Sequence, residues 1–371
     1  MRHFDYQELK RARWDTEIVT YIARIYDYRG RQTVYLREKP AELERLVKIA
    51  RIQSTEDSNR IEGIVTTNIR LKQLLMDKTT PKNRDEEEIA GYRDVLNLIH
   101  ESYPYIAVDS SHILQLHRNL YQYADVEIGG RFKNAQNYIA ATDTDGRTYI
   151  LFTPPAPWET EPMMNELCEN YRSAIDSGID PLLVIPVFIK DFLCIHPFTD
   201  GNGRMSRLLT ALLLYQNGFD VGKYISLESR IARTKETYYS TLQECSRGWY
   251  DGESGREGFV KYMLGVILAA YRDLDERLSI IESGTSAQEK VDRAVKGTIG
   301  RFTKRQIMEL CPDVGRASVE NSLRKLCEEG VIVRCGSGRS TFYVRGDAMA
   351  GVPADHEAGG EGAFGVCGKP A

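Results

Sequence analysis

No apolar run in these 371 residues approaches the ~20 that a membrane-spanning helix needs. The longest candidate, Pro181 to Ile189, is short, contains a second proline and is followed by Lys190-Asp191. The N-terminal Met1-Arg-His-Phe-Asp-Tyr lacks the apolar core of a signal peptide. No membrane partner is expected. The seven cysteines are scattered, odd in number and without a CxxC pair, so neither a zinc site nor a disulfide framework is indicated. Reduced cysteines in a cytoplasmic protein fit best. There is no surplus of positive charge either. The net charge of -4 excludes a global basic field of the kind nucleic-acid binders carry, and leaves room only for a local patch. No internal repeat is visible.

What is present reads mainly as helix. At roughly 100–200 residues per domain, the length suggests two or three units. Ala41 to Ile52, Glu86 to Ile99 and Ser111 to Tyr121 repeat apolar residues at helical spacing. From Asn137 to Phe152 the texture changes to β-formers around Asp145-Gly146, a tight-turn signal that predicts a hairpin. Thr153-Pro-Pro-Ala-Pro157 ends it. Helix is predicted again over 161–177, then from an Asp180 cap and Pro181 to Ile195, over Met205 to Gln216, and over 235–247 and 257–282. Ser283 to Ala287 reads as a linker. Beyond it come helix-sized segments and two short β-forming stretches, the order of a winged helix. Residues 346–371 have almost no large apolar side chains and read as a disordered tail. The expected division is 1–108, 109–282, 288–345 and 346–371.

The segment of greatest chemical content is His196-Pro-Phe-Thr-Asp-Gly-Asn-Gly-Arg-Met-Ser-Arg207. Gly201 and Gly203 sit just before a predicted helix, whose first N–H groups lack partners and whose dipole favours an anion. Arg204 and Arg207, three residues apart, add two guanidinium groups to a polyphosphate cradle. Asp200 can hold the divalent cation that polyphosphates bring. His196 can take a proton near neutral pH.

This stretch resembles the Fic-family signature HPFx(D/E)GNGRxxR at every fixed position. The resemblance implies a mostly helical enzyme, with a β-hairpin flap, that transfers AMP from ATP to a Ser, Thr or Tyr hydroxyl of a protein, itself included. It implies that His196 is the general base and Asp200 the Mg²⁺ ligand. Gly201, Asn202 and Gly203 would form an anion hole, Arg204 would hold the phosphates, and Arg207 would hold the γ-phosphate or an inhibitory partner. Gly203 argues against the related branch that has lysine there and phosphorylates its target. Ser58-Asn-Arg-Ile-Glu62-Gly63 resembles the family's inhibitory signature (S/T)xxxE(G/N), placed N-terminal to the core as in its class II. Glu62 is therefore expected to pair with Arg207 and hold the enzyme back. Gly130-Arg-Phe-Lys133 resembles a further family element, and Lys133 is read equally as a phosphate ligand or a solvated side chain. Thr237 to Leu242 resembles the segment lining the adenine pocket, with Tyr239 chosen as its aromatic face.

Three alternatives stay open: a bifunctional enzyme, a de-AMPylating enzyme in which Glu62 positions water, and a nucleotide-sensing DNA-binding regulator without turnover. Family members often form homodimers. DNA binding by a helix over 316–326, with Arg339 on the wing, remains open, though Glu320, Glu328 and Glu329 disfavour it.

Overall fold

The computed structural model describes residues 3–346 apart from 39, 77–78, 125–126, 143–144, 146, 253–254, 283–285 and 299. Gly146 of the predicted turn, most of the linker and all but the first residue of the tail lie outside the described residues, as does the side chain of Arg339. Chain contacts divide the molecule into two units. One comprises Met1–Thr33 and Val47–Arg272; the other comprises Val34–Leu46 and the residues from Asp273 on.

Helices account for most of the first unit, and the first, second and last of them carry residues of the second unit as well. They are α1 (Thr16–Glu38), α2 (Pro40–Ile61), α3 (Asn68–Leu75), α4 (Arg84–Ser102) and α5 (Ser110–Leu120). Strands β1 (Ile139–Thr142) and β2 (Thr148–Phe152) follow, and then α6 (Pro157–Asp176), α7 (Pro181–Ile195), α8 (Asn202–Gln216), α9 (Leu227–Arg233), α10 (Lys235–Ser246) and α11 (Glu257–Glu282). The caps explain several boundaries. Asp180 accepts from Leu182 N at 2.9 Å and Pro181 follows at the first helical position, where a missing N–H costs nothing. Pro157 opens α6 for the same reason, four residues before the periodicity suggests, while Glu159 accepts from Ala156 N at 3.0 Å. The β1–β2 pair is antiparallel, with Ala140 opposite Ile150 and Thr142 opposite Thr148.

The core of this unit is α7, packed between α6 and α8, with α4 against α8 and α5. From Leu182 to Ile195 every residue of α7 is buried, Lys190 and Asp191 included. A buried carboxylate must be fully partnered. Asp191 accepts from Tyr6 Oη at 2.9 Å and from Trp249 Nε1 at 2.8 Å, with Lys190 Nζ 3.5 Å away.

In the second unit, α12 (Ala287–Gly297), α13 (Lys304–Leu310) and α14 (Arg316–Glu328) enclose a small core with Val291, Phe302, Ile307, Val319 and Leu323. Strands β3 (Ile332–Cys335) and β4 (Phe342–Arg345) pair antiparallel, and Phe302 bridges to Tyr343.

Candidate active site

The site begins where α7 ends. His196 is its C-cap, in the left-handed region at φ 48°, and among the described residues it is the one non-glycine with positive φ. Such a conformation costs on the order of 1–3 kcal/mol and persists only when its surroundings over-determine it. Those surroundings are visible. Asn137 Nδ2 donates to the carbonyls of His196 at 3.1 Å and Phe198 at 3.0 Å. Lys133 N donates to Pro197 O at 2.8 Å, and Lys133 Nζ to Ile195 O at 3.0 Å and to Asn137 Oδ1 at 2.9 Å. Lys133 is thus neither solvated nor aimed at open space. It is buried, and burial lowers its ammonium pKa to about 8.

The imidazole of His196 is placed as a base needs. Its Nδ1 lies 3.3 Å from Leu193 O, and a carbonyl can only accept, so Nδ1 carries the proton and Nε2 keeps its lone pair. Burial pushes its pKa down to about 4, with Leu193 O pulling it up and Lys133 nearby pushing it down. The ring is neutral at pH 7.

Asn202 closes the loop on itself. Its Oδ1 accepts from Phe198 N at 2.9 Å and its Nδ2 donates to Phe198 O at 2.7 Å. Helix α8 starts at Asn202, three residues before the apolar periodicity begins, so Gly203 lies within the first turn rather than before it. The asparagine side chain is spent on the loop, leaving backbone N–H groups at the helix start to meet an anion. Behind the loop, His117 stacks on Phe198 at 3.7 Å between centroids and 3° between planes. Its Nδ1 accepts from Gly130 N at 3.0 Å, which leaves Nε2 to donate to Asp200 O at 3.1 Å. His117 is fully buried, and burial lowers its pKa to about 4.

The two arginines diverge. Arg204, 1% exposed, stands 2.6 Å from Glu88 Oε2 through one terminal nitrogen and donates to Tyr121 Oη at 2.7 Å through the other. Arg207, 3% exposed, donates to Ser58 Oγ at 2.7 Å, Ser58 O at 3.1 Å and Glu62 Oε1 at 2.8 Å. Arg204 Nε and Arg207 NH1 are nevertheless buried with no hydrogen-bond partner among the described residues. Unspent guanidinium donors beside a helix start suit an incoming oxyanion. Asp200 Oδ1 accepts from Gly201 N at 2.7 Å, and its Oδ2 lies 3.2 Å from Arg84. The Asp200 side chain is 44% exposed. No group of three or more His, Cys, Asp or Glu placed to hold a metal occurs among the described residues. Mg²⁺ that arrives on a phosphate needs as little as one protein carboxylate, with phosphate and water supplying its other ligands.

Glu62 reaches this site through a helix terminus. Gly63 at φ 83° follows the last turn of α2. Its N–H donates to Arg60 O at 3.1 Å, and Ile64 N donates to Asn59 O at 3.0 Å. That is the Schellman pattern, with Glu62 itself at the cap position. The carboxylate so placed occupies the space beside Gly203, where any Cβ would collide with it. Tyr239, 40% exposed, lines a cavity of ≈ 690 Å³ bounded by both hairpin strands, Leu193 of α7 and Trp249. Its neighbour Tyr238 is buried.

Sequence reading singles out Glu62, Ser58, Arg207, His196 and the glycines, and these do come together. It misses His117, Tyr121, Glu88 and Asn137, which lie 59 to 116 positions from the loop residues they hold. Burial marks Glu88 on α4, His117 on α5 and Tyr121 just after it, and two bonds to loop carbonyls mark Asn137; these signals are visible only in the fold.

Residues 107–214 match the Fic/DOC family. The chain is 26% identical over 213 residues to the protein adenylyltransferase Fic of Nematostella vectensis, covering 56% of this chain and 46% of that protein. It is 28% identical over 170 residues to the protein adenylyltransferase fic-1 of Caenorhabditis elegans, covering 44% of this chain and 30% of that one. The chain thus spans less than half the length of either relative. Among solved structures, a Fic family protein from Desulfovibrio desulfuricans superposes with a TM-score of 0.59 at 23% identity, covering 90% of this chain and 97% of that one. A Fic domain containing signaling protein from Bacteroides thetaiotaomicron gives 0.56 at 24%, covering 71% and 97%. The fold is that of these proteins: a mainly helical Fic-type core with a β-hairpin beside it.

Proposed function

We propose, for a chain that carries a Fic/DOC-family domain, that it is a protein adenylyltransferase held back by its own Glu62. The observation that carries this reading is the pairing of Arg207 with Glu62 in a loop whose His196 keeps a free Nε2. In the reaction, a Ser, Thr or Tyr hydroxyl of the target gives its proton to His196 Nε2. The oxygen attacks the α-phosphorus of ATP, the bond to the β-phosphate bridging oxygen breaks, and diphosphate leaves. The backbone of Gly201 to Gly203 and the spare donors of Arg204 and Arg207 would hold the phosphates. Asp200 would carry Mg²⁺, which neutralises phosphate charge when bound. The purine would enter the cavity against Tyr239. A target segment would lie along the β1–β2 hairpin, where Tyr149 and Ile150 are exposed.

While Glu62 holds Arg207, the γ-phosphate loses that ligand and ATP sits in a pose unsuited to in-line attack. The same carboxylate gives hydrolytic removal of AMP its footing, since it stands at the loop and could orient a water. The second unit, with three helices, a two-stranded ladder and the Phe302 bridge, is read as a winged helix. Its α14 cations each have an acid one turn on, Arg316 with Glu320 at 2.9 Å and Arg324 with Glu328 at 3.9 Å, which favours a protein over DNA as its partner.

The test is labelling from ATP carrying ³²P at the α position. Glu62→Gly should become labelled, Glu62→Gly with His196→Ala should not, and γ-labelled ATP should leave both blank. Label from the γ position would replace AMP transfer by phosphorylation. No label in Glu62→Gly from any nucleoside triphosphate would end the reading.

A further inference from the structure

The last four carbonyls of any α-helix lack intrahelical donors, and how they are satisfied decides how firmly the end is held. In α2 each has a donor. Asn59 O accepts from Ile64 N and Glu62 N, and Arg60 O accepts from Gly63 N, all within the local turn. The other two are taken by cations from distant elements. Ser58 O accepts from Arg207 at 3.1 Å, and Ile61 O accepts from Lys235 Nζ at 2.5 Å. A positive charge at a helix C-terminus is favoured by the dipole as well as by the hydrogen bond.

We infer that Lys235 is a positioning residue for Glu62: its ammonium grips the carbonyl immediately before Glu62 and holds the helix end against Arg207. The inference rests on the inhibitory reading of Glu62 and extends it to a residue 173 positions away in the chain.

Three features single out this contact. Arg207 cannot serve as an independent anchor, because it is the group Glu62 is meant to block; once Arg207 turns to phosphate, it releases Ser58 as well. Lys235 lies outside that exchange and stays bound while Arg207 changes partner. Lys235 is also the first residue of α10, the helix that presents Tyr239 to the cavity, and its ammonium lies 5.8 Å from the Tyr239 ring centroid. The cavity lining starts one residue further on, at Glu236, so Lys235 touches the inhibitory helix rather than the cavity. One helix thus carries both a wall of the nucleoside site and the clamp on the inhibitory carboxylate. A ligand that shifts α10 moves both.

The test is a double-mutant cycle of Lys235→Met with Glu62→Gly, read by α-³²P labelling, together with amide hydrogen exchange. Loss of one charge-assisted hydrogen bond at a partly buried end should raise labelling of Lys235→Met over the unaltered protein by roughly three- to tenfold. Lys235→Arg, which keeps a donor, should restore restraint. In the Glu62→Gly background Lys235→Met should change labelling by less than about twofold, because the clamp has nothing left to hold. A merely structural lysine would lower activity equally in both backgrounds. The amides of Glu62, Gly63 and Ile64 should exchange faster in Lys235→Met. Unchanged exchange overturns the inference whatever the labelling does. Faster exchange with no rise in labelling, while Glu62→Gly is activated, overturns it too. If Glu62→Gly itself stays inactive, the inhibitory reading fails, and exchange alone decides whether Lys235 positions the helix end.

Discussion

Every residue of α7 from Leu182 to Ile195 is buried on the way to His196, whereas α2 ends in a carboxylate that is 31% exposed and held from one side. The loop after α7 is tied by Asn202, Asn137, Lys133 and His117, each through a buried or half-buried hydrogen bond to backbone. The end of α2 is tied by two cations and one glycine turn. The first arrangement suits chemistry, which needs fixed geometry before substrate arrives. The second suits the releasable restraint proposed for Glu62. The two arrangements meet at Arg207, which starts from the α8 side of the loop and pairs with Ser58 and Glu62 at the end of α2.

The contrast breaks most visibly if the loop is loosened. Asn202→Ala removes both side-chain bonds to Phe198, and displacement of His196 on the ångström scale should lower labelling in the Glu62→Gly background about a hundredfold. Thermal melting should fall as well, since two buried partners are lost. Full activity would mean that the loop does not depend on this staple.

On the other helix the change has the opposite sign. Glu62→Gln keeps the shape but removes the charge, so labelling should rise roughly tenfold, less than with glycine, as a charge-assisted bond becomes a neutral one. A rise equal to that of glycine would show that charge, and not bulk beside Gly203, does the blocking.

A smaller effect separates the base from the rest. Burial holds His196 neutral down to about pH 4, so labelling by Glu62→Gly should vary by less than about twofold between pH 6 and 8. An acid limb centred near 6.5 would place the ring in water instead. Stability should follow the same groups. His100, His117 and His196 have folded pKa values lowered to about 3, 4 and 4. Unfolding therefore takes up protons below their ordinary value near 6.5. Stability is full above that pH and declines as pH falls toward 4, which melting curves at pH 7 and 5 would register.

Much of this contrast is legible from sequence, and the reason is local. Asp180-Pro181 announces a helix start through chemistry confined to a few residues, whereas the helical spacing read over Ala41 to Ile52 stops nine residues short of the end of α2 at Ile61. The loop from His196 to Arg207 is contiguous for the same reason. The supports are not. His117 reads as one polar residue in a helix until the fold lays it flat on Phe198, and Glu88 reads as a surface acid until Arg204 meets it. The two arginines, three apart on α8, appear in sequence to form one cradle. In the fold the α4–α5 layer draws one away and α2 draws the other. No spacing rule encodes which neighbour a buried guanidinium will find.

The glycine-terminated end of α2 also has a tempo. Helix ends open and close in about a microsecond or less, while enzymes of ordinary speed turn over on the order of ten times a second. Between two catalytic events the carboxylate would leave and return many thousands of times. Restraint of this kind has no memory. On the inhibitory reading proposed above, every turnover would be scaled by the same fraction, set by how much of the time Glu62 is away from Arg207.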